Sequence, residues 1–283
     1  MQFARTSGVL ACLFSLNSYG ADIASAVRPG GDELRDDGGY FELGVSLSYA
    51  QIARDHKERD DLEDFSVGIS LAGEYRYKGF FVEAAQGSFD GLNLGYTLFE
   101  TPKWSVDLLA ASALGTAESE DNNVNVSGFS EAQRNEALLE RNTFYIGAGL
   151  RGTLYLDNYI LQARIVSDVY DDNGATATLR LGRSWQYRNW NFHAVASTEY
   201  GSDTTMQYLY GITAEEATTQ FSAYKPDAAL SFTGEVGVTY PMSEDWVFRS
   251  ALRYSAFPDE ITDSPLVDRD SDVFFFNSIN YVF

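Results

Sequence analysis

The 283-residue chain carries 41 acidic and 20 basic residues, a formal charge of −21, with 18 Tyr, 19 Phe and 24 Gly against 6 Pro. It has no stripe of Lys and Arg, which speaks against a nucleic-acid binder, and a hydrophobic fraction of 45 % speaks against disorder. Abundant Tyr, Phe and Gly with little Pro suits strands better than helices, and the length fits one closed barrel. The acidic excess reads as surface repulsion and solubility, with cation attraction at a mouth or pore as its functional alternative.

Residues 1–20 read as a secretory signal: Arg5, then an apolar run through Val9, Leu10, Cys12 and Phe14, then small residues at Ser18 and Gly20. Cys12 is the one cysteine, so cleavage after Gly20 would leave no thiol or disulfide chemistry in an oxidising compartment. The apolar run ahead of Cys12 is short for a lipoprotein signal. No later segment reaches the length of an apolar transmembrane helix. Residues 21–39, polar and Gly-rich, read as a periplasmic lead segment.

From residue 40 the chain alternates with a period of two. Phe41, Leu43, Val45, Leu47 and Tyr49 are apolar, with charged or small residues between them. The same pattern recurs near 65–75, 80–85, 92–98, 104–110, 144–150, 161–165, 177–181, 190–196, 230–240, 246–254 and 273–283, which makes twelve strands. Short turns (77–79, 100–103, 156–158, 186–189, 241–245) alternate with long connections (50–64, 86–90, 112–142, 166–175, 200–228, 255–272). Single-chain bacterial barrels have this even count and parity, with short periplasmic turns and long extracellular loops. The predicted fold is therefore a closed antiparallel transmembrane β-barrel over residues 40–283, in the outer membrane of a Gram-negative bacterium. A soluble sandwich or lipocalin-like barrel would point the apolar faces inward instead.

Aromatics near strand ends, including Tyr40, Phe41, Tyr49, Tyr75, Tyr77, Trp104, Trp185, Trp190, Tyr240, Trp246 and Tyr254, suit the two interfacial girdles. Residues 130–141 read as a short helix within a loop. Ile279, Tyr281 and Phe283 continue the lipid-facing side of the last strand and read as an assembly signal. That strand is expected to pair with the first and leave no free edge.

Chemistry is sparse. The two histidines are His56, in a charged loop, and His193, on a polar strand face with Asn191, Ser197 and Glu199. Ser197 is four residues on, about 13 Å along a strand, too far for a direct bond to His193. No nucleophile elbow occurs. No metal signature appears, and the Asp-rich loops at 60–64, 168–172 and 268–272 fit no calcium-loop spacing. The reading is a non-enzymatic protein with no cofactor. The faces opposite the apolar ones carry Glu42, Glu74, Arg76, Glu83, Asp107, Arg151, Arg164, Arg180, Glu199, Glu235, Arg249 and Arg253, with the two signs balanced. Such charges are either paired across a filled lumen or wet along a narrow pore.

Residues 200–283 carry a more specific signal. Tyr210-Gly211-Ile212-Thr213, Glu215-Glu216-Ala217, Tyr224-Lys225-Pro226, Trp246, Asp263-Ser264-Pro265-Leu266-Val267 and the terminal Tyr281-Val282-Phe283 resemble the MipA/OmpV family of outer-membrane proteins in order and spacing. Leu266 stands where the family usually has Ile. The N-terminal half resembles it mainly in strand pattern. The resemblance implies a scaffold linking a lytic transglycosylase to a penicillin-binding synthase, so that the expected partners are a murein hydrolase or synthase. Outer-membrane lipid and the barrel-assembly machinery are the expected partners of the barrel itself. Narrow porin-like channel and surface adhesin are the alternatives the resemblance leaves open.

Overall fold

Period-two alternation gives each strand one apolar and one polar face, and neighbours must pair like face to like face. The computed structural model describes residues 37–51, 53, 65–84, 92–111, 147–217 and 221–283. The expected signal, residues 21–36 of the lead, His56, the 60–64 loop and the 130–141 helix lie outside the described residues.

Twelve antiparallel strands close on themselves. They are β1 (Gly38–Gln51), β2 (Phe65–Tyr77), β3 (Phe80–Ala84), β4 (Leu92–Glu100), β5 (Trp104–Ala111), β6 (Gly147–Leu156), β7 (Tyr159–Asp168), β8 (Ala175–Tyr187), β9 (Trp190–Gly201), β10 (Ala229–Pro241), β11 (Trp246–Ala256) and β12 (Ser271–Val282). Each pairs with its sequence neighbours, and β1 pairs with β12 from Glu42↔Val282 to Gln51↔Val273. A strand of 13 residues such as β2, at about 3.3 Å per residue and a tilt of about 40°, spans roughly 33 Å of membrane normal. Among the described residues, two short helices lie in the long connections: α1 (Asp203–Tyr210) and α2 (Asp259–Thr262).

Most strands run further than the alternation alone marks, the eighth over 175–187 where 177–181 was expected. The sixth strand continues to 156, past the expected end at 150, because Leu150, Leu154 and Leu156 keep the outward alternation going to the Asp157-Asn158 turn, while the expected residues 144–146 lie outside the described residues. β1 takes in Gly38 and Gly39 from the expected lead, since β2 extends far enough to offer them Arg76 and Tyr75 as partners. The tight turns hold Lys78, Asp157 and Arg188 at positive φ, the backbone that two-residue hairpin turns require.

Most apolar strand residues face outward, while Phe81, Leu109, Ala111 and Val166 form a small buried cluster on the inward side. Val67 is 81 % exposed, Ile69 75 % and Ile165 66 %. A water-soluble protein does not leave a continuous apolar belt of this kind exposed, whereas a bilayer covers it. Aromatic contacts line the ends of the belt. Near the short turns, Phe80 packs on Tyr96 at 4.8 Å, Phe99 on Trp104 at 4.5 Å and Trp190 on Tyr240 at 4.5 Å. At the seam, Phe283 meets Phe41 at 5.7 Å and Tyr281 at 4.8 Å. Tyr49 and Phe65 form a pair at the opposite end. Tyr40 is a correction to the expected girdle. It has the parity of Glu42 and pairs with Glu74, so it belongs to the inward face.

Candidate functional site

The inward face places most of the predicted charges in three groups, with Arg164, Arg180 and Glu199 outside them. In the first, Glu42 on β1 is fully buried and accepts from Arg249 on β11, Nε at 3.0 Å and Nη2 at 2.6 Å. Asn280 Nδ2 donates to the same carboxylate at 3.1 Å, and Arg249 Nη1 donates to Thr239 at 3.2 Å. In the second, Glu235 on β10 accepts from Arg253 Nε at 3.0 Å and Nη2 at 2.7 Å, while His193 Nε2 lies 3.2 Å from its other oxygen. Gly237 makes room for that imidazole, because a Cβ there would stand 2.3 Å from His193 Cε1. Ser197 pairs in register with Arg180 and Thr233 rather than meeting His193.

The third group spans β2 to β6. Arg151 Nε donates to Asp107 at 3.0 Å, and its Nη1 is paired with Glu83. Thr97 Oγ1 donates to Asp107 at 2.9 Å and Asn93 to Glu83 at 3.2 Å. Arg76 pairs with Glu74. Phe81 lies between the two guanidinium groups, each 4.8 Å from its ring centroid. Arg164 and Arg180 are buried on β7 and β8, with Arg164 opposite Arg151 in register. Glu199, at the outer end of β9, accepts from Thr178 at 3.3 Å. Carboxylates held by several donors and cations held by carboxylates are the condition for keeping charge out of bulk water.

A second structure forms on the outer side, where the long connections meet. Met206 of α1, Ile261 of α2, Val267, Ala53 and Ala229 form a small buried core, against which Leu209, Tyr210 and Phe257 pack. Ser202 caps α1 by accepting from Thr205 N at 3.2 Å. Ile212 and Tyr224 exchange backbone bonds of 2.7 and 2.9 Å. Thr213 and Glu216 cap one another reciprocally. Ser264 Oγ donates to Tyr210 O at 2.6 Å, Tyr224 OH donates to Glu260 O at 2.9 Å, and Leu266 is buried. Burial raises the pKa of the Tyr224 hydroxyl above the ordinary phenol value, and Asp263, Glu260 and Asp227 push it the same way. The sequence elements that carry the family resemblance between 210 and 267 thus fasten two connections into one cap. Their individual spacing gave no sign of this.

The Asp-rich 168–172 segment uses its first carboxylate on its own turn: Asp168 accepts from Tyr170 N at 3.0 Å and Asn173 Nδ2 at 2.7 Å. Among the described residues, no group of three or more His, Cys, Asp or Glu is arranged to hold a metal. Arg183 lies outside the polar faces on which the alternation places the other strand arginines. It shares the parity of Leu179 and Leu181, which alone was enough to place it on the outward face of β8.

A closed antiparallel barrel with an apolar exterior and a charged interior defines an outer-membrane β-barrel protein. The family described as MltA-interacting protein MipA matches residues 43–283, and the chain belongs to that family. Its location is the outer membrane of a Gram-negative bacterium. The MltA-interacting protein of Escherichia coli (strain K12) is 29 % identical over 140 residues, covering 47 % of this chain and 50 % of that one. The putative outer membrane protein YiaT of the same strain is 26 % identical over 125 residues, covering 44 % and 51 %. The matches thus span about half the length of these curated relatives. Among solved structures, the NanC porin aligns over 84 % of this chain and 98 % of its own, at 9 % identity and a TM-score of 0.43. A loop-deletion mutant of OmpT from Vibrio cholerae aligns over 88 % and 100 %, at 7 % identity and a TM-score of 0.40.

Proposed function

We propose that this barrel is a non-enzymatic anchor in the outer membrane that holds a peptidoglycan-remodelling enzyme, a murein hydrolase or synthase, close to the bilayer. The observation that carries the reading is the combination of an interior whose carboxylates Glu42, Asp107 and Glu235 are held by arginines with an outer cap fastened by its own core. Such a barrel resists rearrangement and suits a fixed support. The relatives named for an interaction with MltA bring the partner class to this chain. In the same reading, Ile279, Tyr281 and Phe283, which share the outward face of the seam, present the signal recognised by the barrel-assembly machinery.

The test is capture of purified murein lytic transglycosylase on the full-length barrel in nanodiscs, with conductance measured on the same preparation in planar bilayers. Saturable capture without current steps supports the anchor. Absence of capture under cross-linking, together with discrete steps, would replace it with the narrow channel.

A further inference from the structure

The outward face of β8 to β11 is not evenly filled. Register puts Ala194, Ala196 and Gly234 side by side on β9 and β10, and a Cβ added at Gly234 would meet nothing within 4 Å. Leu181 on β8 and Leu252 on β11 rise on either side. The result is a groove of about 420 Å³ in the lipid-facing surface, lined almost wholly by apolar groups.

Arg183 stands at one end of this groove, in register with Ala194 on one side and Tyr159 on the other. Tyr159 is the first residue after the tight turn at 157–158, which places this end at the periplasmic interface. Arg183 is the one charged side chain with outward parity among the described strand residues. Its guanidinium lies 5.0 Å from the Tyr159 ring centroid and 5.8 Å from that of Trp185. Its described partners are thus aromatic faces rather than a carboxylate. A guanidinium facing lipid calls for an anion, and its planar fork suits phosphate. The phosphates of the periplasmic leaflet lie at that level, and the groove runs from there towards the middle of the bilayer, the direction an acyl chain takes.

We infer that the groove over Ala194, Ala196 and Gly234 is a binding site for one phospholipid of the periplasmic leaflet, its phosphate on Arg183 and one acyl chain along the groove. A second copy of this chain would need a flat or knobbed complement, and the lone cation would then face its own like charge across a symmetric interface.

The test uses the full-length barrel in detergent micelles supplied with phosphatidylglycerol, read by native mass spectrometry. Retention of one lipid per barrel is expected. R183Q should lower retention at least tenfold, and G234L, which fills the groove and leaves the arginine in place, should lower it similarly. Heat-modifiable electrophoretic mobility checks that both variants remain folded barrels. Equal retention by R183Q and the wild type would overturn the assignment, as would diacylglycerol competing as well as phosphatidylglycerol. A dimer that G234L disperses, with no lipid bound, would overturn it in favour of an interface between copies.

Discussion

Replacing Arg249 by Met tests whether the interior pairs set the stability of the barrel. Glu42 is fully buried and accepts two bonds from Arg249 and one from Asn280. The substitution removes both charge-assisted bonds and leaves a buried carboxylate with a single amide donor. Breaking a buried pair from one side costs about 3–5 kcal/mol. The retained Asn280 bond and the 14 % exposure of the Arg249 side chain put the expected loss at the lower end, about 3 kcal/mol. Changing Glu42 to Gln as well removes the stranded charge, so the double variant is expected within about 1 kcal/mol of wild type. Urea unfolding in lipid vesicles, followed by tryptophan fluorescence, measures all four corners of the cycle. A loss below about 0.5 kcal/mol for Arg249→Met, or strict additivity in the double variant, would refute the reasoning.

Ile261→Ala should cost about 2–4 kcal/mol locally, because its side chain is buried in the cap core. Limited proteolysis should then cut within 202–228 while the heat-modifiable mobility of the barrel is unchanged. The cap should also loosen in alkali. Tyr224 has a raised folded-state pKa, so its contribution is complete below the unfolded value of about 10 and is lost as pH climbs through the folded one. Protease susceptibility of the cap, followed from about pH 8 to 11, should show this step in the wild type and lose it in Tyr224→Phe. Phe283→Ser removes the ring that meets both Phe41 and Tyr281. Pulse-chase assembly in cells should slow several-fold with little change in the stability of barrels already formed; unchanged assembly would count against the signal role.

The strands were legible because period-two patterning is a local property. Phe41 to Tyr49 shows it in nine residues, and the turn at Asp157-Asn158 announces itself by residue type. The parity of long and short connections implies closure without reference to any contact. Pairing inside the barrel was not legible. Nothing near Glu42 in sequence points to Arg249, since the two meet only when β1, β12 and β11 are neighbours. The cap was hidden for a related reason. Ser264 and Tyr210 are 54 positions apart, and their bond depends on two connections leaving the same end of the barrel. Arg183 is readable by parity, as the exception to the rule that puts the strand arginines on the polar face.

The β1–β12 seam has a consequence for biosynthesis. Ten register pairs join the earliest strand to the last, so a polypeptide that stops short of Ser271 carries two open sheet edges however well its other strands have paired. Such edges recruit other chains. Completion is therefore written into topology: only a product that includes β12 can present a surface with no edge.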